Sequence, residues 1–161
     1  SNDFPFSTVY PNGNYSIKFY VRNNSGENQL VAVSNFTYDN GQDNIAPDIS
    51  NTVVDPDTIV VTATTPILTS VDVSDANGLN DIESVYFIVT RPDGTSNNTK
   101  VFLFDDGDTV VHGDQTAGDG VYSLLIQVDE NNQKGSYRFE FQAIDRGGKL
   151  SNTINHFVLI Q

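Results

Sequence analysis

The chain has 161 residues, many of them Phe and Tyr, no Cys, Met or Trp, and a formal charge of −13. That length allows one full domain plus a fragment, or two very small domains, and the missing cysteines exclude disulfides, thiolate metal sites and a cysteine nucleophile. The eight Lys and Arg residues are dispersed, which argues against nucleic acid and against adhesion to anionic membranes, and no apolar run reaches transmembrane length.

In chain order, the hydrophobic period is two almost throughout. The N-terminus starts in polar sequence, with no signal peptide at Ser1, and reads as a piece excised from a longer protein. "YSIKFYV" (15–21) puts Tyr15, Ile17, Phe19 and Val21 on one face, and after the turn "NNSGEN" (23–28) comes a second strand, "LVAVSNFTYD" (30–39). "NGQDNIAPDIS" (40–50) reads as a linker, with Pro47 setting an extended entry into the next strand. "SVYFIVT" (84–90) and "YRFEFQAI" (137–144) alternate in the same way, the latter with Tyr137, Phe139, Phe141 and Ala143 on one side. "LSNTINHFVLI" (150–160) closes the chain as a last strand, with His156 expected to face outward. Turn sequences punctuate these runs at sandwich spacing, and no window carries a capped 3.6-residue period, so helix content should be close to nil.

An internal repeat organises the whole. "NGNYSIKFYVRNNSG" (12–26) matches "KGSYRFEFQAIDRGG" (134–148), pairing Tyr15 with Tyr137, Ile17 with Phe139, Phe19 with Phe141 and Val21 with Ala143. A one-residue gap then aligns Phe36 with Phe157, and upstream Phe4 and Phe6 take the places of Ile126 and Val128. Residues 1–45 therefore read as the last three strands of one domain plus a linker, and residues 46–161 as a complete domain of the same kind. Three strands cannot bury an inner face by themselves, so the fragment is expected to pack on the complete domain, on a symmetry-related copy, or on upstream sequence supplied by another chain. Tyr15 and Tyr137 are each placed to hydrogen-bond back to the chain as a tyrosine corner.

Three phrases in order, "VSDANGLNDIESVYF" (73–87), "FLFDDG…GDQTAGDGVYS" (102–123) and "GSYRFEFQAIDRGGKLSN" (135–152), resemble bacterial extracellular immunoglobulin-like (Ig-like, fibronectin III-like) repeats of surface and secreted multidomain proteins. The resemblance implies an all-β fold, an immunoglobulin-like antiparallel β-sandwich of seven-strand type, preceded here by the C-terminal strands of a second copy. It also implies a spacer, adhesive or accessory role outside the cell, and it does not imply catalysis.

Two acidic clusters are candidate Ca2+ sites, since that ion takes six to eight oxygen ligands from loops. The first is "FDDGDTVVHGDQTAGDGVYS" (104–123), with Asp105, Asp106, Asp108, Asp114 and Asp119. Its spacing fails the EF-hand pattern, and the competing reading is turn chemistry, with Gly107 and Gly120 at positive φ and the aspartates accepting backbone N–H groups. The second is "SDANGLND" (74–81), with Asp75, Asn77 and Asp81, which should meet the turn holding Asp145 at one end of the sandwich. Here too a tight turn is the competing reading. His112 and His156 lie in unrelated phrases and lack a third zinc ligand. Tyr10, Tyr20, Phe36, Tyr38 and Tyr86 are the rings that could be exposed for stacking on sugars.

The reading that results is a non-catalytic extracellular spacer or protein-interaction module of a bacterial surface protein or lipoprotein. Its partners would be neighbouring Ig-like repeats or another surface protein, with packing or dimerisation through the N-terminal strands and no membrane insertion by this fragment. The alternatives are a calcium-dependent adhesin or carbohydrate-binding module, and an accessory domain of a secreted hydrolase.

Overall fold

A computed structural model describes residues 10–161. The chain divides into two compact units, Ser1–Asn44 and Ile45–Gln161. In the first, β1 (Gly13–Arg22) and β2 (Asn28–Tyr38) form an antiparallel hairpin closed by the Asn23–Glu27 turn, where the Asn23 side chain accepts the N–H groups of Ser25 and Glu27. The expected strand around Phe4 and Phe6 lies outside the described residues.

The second unit contains β3 (Asp48–Asp55), β4 (Thr58–Ile59), β5 (Thr65–Ser74), a single 3-10 turn at Leu79–Asp81, β6 (Ile82–Thr90), β7 (Lys100–Leu103), β8 (Val121–Val128), β9 (Gly135–Asp145) and β10 (Ile154–Ile160). They form a three-stranded sheet in the order β3-β5-β8 and a five-stranded sheet in the order β4-β10-β9-β6-β7. All pairs are antiparallel except β4 with β10. That parallel junction carries N–H donations from Leu159 to the Asp57 carbonyl (2.8 Å), from Gln161 to Ile59 (2.8 Å) and from Val61 to Gln161 (3.3 Å). The first strand thus starts in one sheet and its continuation joins the other beside the last strand. With this strand order the unit is an immunoglobulin-type β-sandwich.

Alternation explains the core. Ile67, Val71 and Val73 of β5 meet Val85 and Phe87 of β6, Phe139, Phe141 and Ala143 of β9, and Val158 and Ile160 of β10 in one buried cluster between the sheets. Phe87 stacks on Phe139 with centroids 4.8 Å apart and lies tilted against Phe141 at 5.4 Å. Tyr86, on the opposite face of β6, is also buried: Phe102 meets its ring edge-on, the Lys100 ammonium sits 3.9 Å above it, and its hydroxyl donates to Gln142. Tyr86 is therefore no sugar-stacking ring, because neighbours on β7 and β9 cover a face that alternation alone leaves open. Tyr10 and Tyr20 are exposed, and Phe36 and Tyr38 are half-buried.

The two copies of the repeat share a bond as well as a pattern. Tyr137 donates its hydroxyl to the Gln133 carbonyl at 2.9 Å, and Tyr15 donates to the Pro11 carbonyl at 2.7 Å, each four residues back. Replacing Tyr137 with Phe should lower the stability of the second unit by about 1 kcal/mol, the net value of one such bond, measured by thermal unfolding.

The registers correct the alignment of the following strand. Gly13 faces Tyr38 as Gly135 faces Ile160, and Tyr15 faces Phe36 as Tyr137 faces Val158. Phe36 thus corresponds to Val158, one residue on from Phe157, which points outward and is exposed. The same parity puts His156 on the inward face with Val158, where its Nδ1 lies 3.4 Å from Thr52 Oγ1, so the expected outward placement was wrong.

Burial separates the copies. Phe139, Phe141 and Ala143 are at most 5% exposed, whereas their counterparts Ile17, Phe19 and Val21 are 45–56% exposed. In the second unit the β3-β5-β8 sheet covers this face.

Candidate functional site

The aspartate-rich loop between β7 and β8 is built on turn chemistry. Asp105 Oδ1 accepts the N–H groups of Gly118 (2.5 Å) and Asp119 (3.3 Å), and its Oδ2 accepts that of Gly120 (2.9 Å). Buried Asp114 accepts Gly107 N–H through Oδ2 at 2.5 Å and Thr116 N–H through Oδ1. Asp119 accepts from Val121. Gly107 and Gly120 have φ of 75° and 89°, as the turn reading expects.

Asp105, Asp114 and Asp119 do converge, each with a carboxylate oxygen within 4.8 Å of the others. Asp106 and Asp108 lie outside that group. Asp106 Oδ2 sits 2.8 Å from His112 Nδ1, and the His112 ring stacks on Phe104. Asp108 Oδ1 accepts the N–H groups of Val110 and Val111, and these bonds hold its carboxyl below the usual range, Val111 contributing most. Backbone N–H groups thus reach both oxygens of Asp105 and of Asp114 and one oxygen each of Asp106, Asp108 and Asp119. Asp105→Ala, which removes three accepted bonds at once, should destabilise the second unit by about 2 kcal/mol, equally in Ca2+ and in chelator, as read by urea unfolding.

The second cluster is different in kind. A turn closed by Gly78 N–H to the Asp75 carbonyl, with Gly78 at φ 96°, carries the chain from β5 into the 3-10 turn, where Asp81 N–H bonds to Gly78. The Asp81 carbonyl accepts Arg146 N–H at 2.8 Å, and Arg146 Nε donates to the Asn80 carbonyl at 2.9 Å. These bonds stitch the loop before β6 to the loop after β9. Asp75, Asp81 and Asp145 are brought together, with carboxylate oxygens within 4.8 Å of one another.

Asp81 and Asp145 are 1% and 0% exposed. Asp145 Oδ1 accepts Lys149 N–H at 2.7 Å, and Asp75 Oδ1 accepts Asn77 N–H at 2.6 Å. Asp75 Oδ2 and Asp81 Oδ1 are buried without a hydrogen-bond partner. Burial pushes both carboxyls up from the ordinary value. For Asp75 the Asn77 N–H opposes the shift and the Asp145 charge adds to it. For Asp81 the charges of Asp145 and then Asp75 add to it, against Arg146. Asn77, the other residue expected in this cluster, accepts the N–H of Ile45 through its Oδ1 at 2.8 Å. Arg146 and Asn80, which hold the two loops together, were missed from the sequence because one acts through its backbone carbonyl.

The family model of the conditioned medium factor second Ig-like domain matches residues 48–157. The chain belongs to this Ig-like family. The conditioned medium factor Ig-like match takes in both acidic clusters and leaves the β1–β2 hairpin outside. No curated protein matches the chain. Among solved structures, it is similar to the fibronectin(III)-like modules of Clostridium thermocellum CbhA, at 15% identity and a TM-score of 0.46, over 93% of this chain and 63% of that one. It is also similar to the chitinase ChiW of Paenibacillus sp. str. FPU-7, a bacterial cell-surface-expressed multi-modular enzyme, at 11% identity and a TM-score of 0.42, over 75% of this chain and 9% of that one. The chain thus spans less than two thirds of the length of either. No helix among the described residues is long and apolar enough to cross a membrane.

Proposed function

We propose that this chain is a non-catalytic spacer module of an extracellular or cell-surface bacterial protein, one bead in a tandem array of Ig-like domains. The hairpin would be the C-terminal part of the preceding bead and residues 46–161 a complete one. One observation carries the reading: β1–β2 reproduces the register of β9–β10 together with its four-back tyrosine bond. A sandwich that recurs along one chain provides length and stiffness. The charge of −13 supports a role in solvent, where like-charged modules stay apart and soluble.

Exchange of residues 46–161 in the full-length parent for an unrelated sandwich of similar length tests this. A spacer tolerates the exchange, and the parent keeps its activity and surface exposure. Loss of activity with the replacement folded and displayed overturns the spacer reading in favour of a specific binding or accessory role.

A further inference from the structure

We propose that Asp75, Asp81 and Asp145 form a binding site for a hard divalent cation, best met by Ca2+, at the end of the sandwich where the β5–β6 and β9–β10 loops meet. Three carboxylates converge within 4.8 Å, and two of them belong to residues almost wholly removed from water. Convergence alone would mean little. The independent observation is that Asp81 Oδ1 and Asp75 Oδ2 are buried with no hydrogen-bond partner. A buried carboxylate oxygen without a donor is costly, and more so beside other carboxylates.

The loop after β7 supplies the contrast. Asp105, Asp114 and Asp119 also converge within 4.8 Å, yet backbone N–H groups reach both oxygens of Asp105 and of Asp114 and Oδ1 of Asp119. Those aspartates shape a turn, whereas in the second cluster Asp75 Oδ2 and Asp81 Oδ1 are buried with no donor.

Donor chemistry selects the ion. The group is all oxygen, without imidazole or thiolate, which suits Ca2+ or Mg2+ over zinc and copper. Mg2+ keeps most of its water and uses one or two carboxylates, while Ca2+ accepts several carboxylates with backbone carbonyls at looser geometry. Three carboxylates from two loops fit Ca2+. Binding would neutralise the repulsion among them and brace the loop stitch made by Arg146.

The test is calorimetric titration of the chelator-stripped 161-residue protein with CaCl2, alongside thermal melts in Ca2+ and in chelator. One binding event is expected, in the sub-millimolar to millimolar range of extracellular modules, on the order of 0.1–1 mM, with a rise in melting temperature because only the folded state binds. Asp81→Asn should weaken binding by more than about tenfold and abolish the Ca2+-dependent rise, while melting in chelator no lower than the parent, since one buried charge is gone. Asp145→Asn provides a second variant should Asp81→Asn misfold, and Asp119→Asn should leave the titration unchanged. Absence of heat and of any melting shift at about 10 mM Ca2+ overturns the proposal. So does loss of the response in Asp119→Asn with its retention in Asp81→Asn.

Discussion

Replacing Phe141 with alanine should destabilise the second unit by about 3–5 kcal/mol, while the same change at Phe19 should cost about 0.5 kcal/mol or less. The two residues occupy one position of the repeat, on strands of matching register, and differ in what lies over them. Phe141 is 0% exposed between the sheets, against Phe87, and truncation leaves a cavity that the sandwich cannot close. Phe19 is 49% exposed, so its removal returns little apolar surface to water. Urea unfolding of the 161-residue chain, followed for each variant, reads both values. A loss at Phe19 as large as that at Phe141 would mean that the hairpin face is covered in solution.

The second large effect is expected at Gly120, beside the start of β8. Its φ is 89°, and a Cβ there would stand 2.9 Å from the carbonyl oxygen of Val73, a backbone atom already tied to the same segment by Val73 N–H donating to Gly120 O at 2.8 Å. Gly120→Ala therefore combines left-handed strain with displacement of a paired strand, about 3 kcal/mol together. Gly118, two residues earlier, has φ of 76° with nothing within 4 Å of its Cβ direction, so Gly118→Ala carries the conformational strain alone, about 1 kcal/mol. Thermal melts of the two variants separate steric from torsional loss, and equal shifts would contradict the packing at Val73.

Much of the fold can be read in the residues because period-two alternation is a local signal. The inward series Tyr137, Phe139, Phe141 and Ala143 stands in the sequence as it does in the core, and one further step of two reaches buried Asp145. The meeting of Asp145 with the 74–81 loop follows from sandwich topology, and Asp75 and Asp81 do lie there. Other features depend on neighbours that spacing does not specify. β4 is two residues long and has no periodicity of its own, so its parallel pairing with β10 was not foreseen. Tyr86 alternates like an outward residue but lies under Phe102 and Lys100. The gap that aligned Phe36 with Phe157 misplaced the partner by one, because the connection is equally long in the two copies: Phe19 faces Ala32 as Phe141 faces Ile154, so the offset that pairs Tyr15 with Tyr137 carries Phe36 to Val158 with no gap. The two acidic clusters looked alike in composition. They separate once the direction of each backbone N–H is known, which the order of aspartates and glycines does not encode.

The parallel junction of β4 and β10 bears on how such a module would carry load. Because the two strands run in the same direction, a pull applied at the opposite ends of the unit draws them past each other along a common axis. The bonds from Leu159 to Asp57, from Gln161 to Ile59 and from Val61 to Gln161 then resist in shear as a group, rather than opening one after another like a zip. In a module that carried load, a clamp only two residues long in β4 would make the first strand and the last a mechanical fuse, holding until all of its bonds yield together.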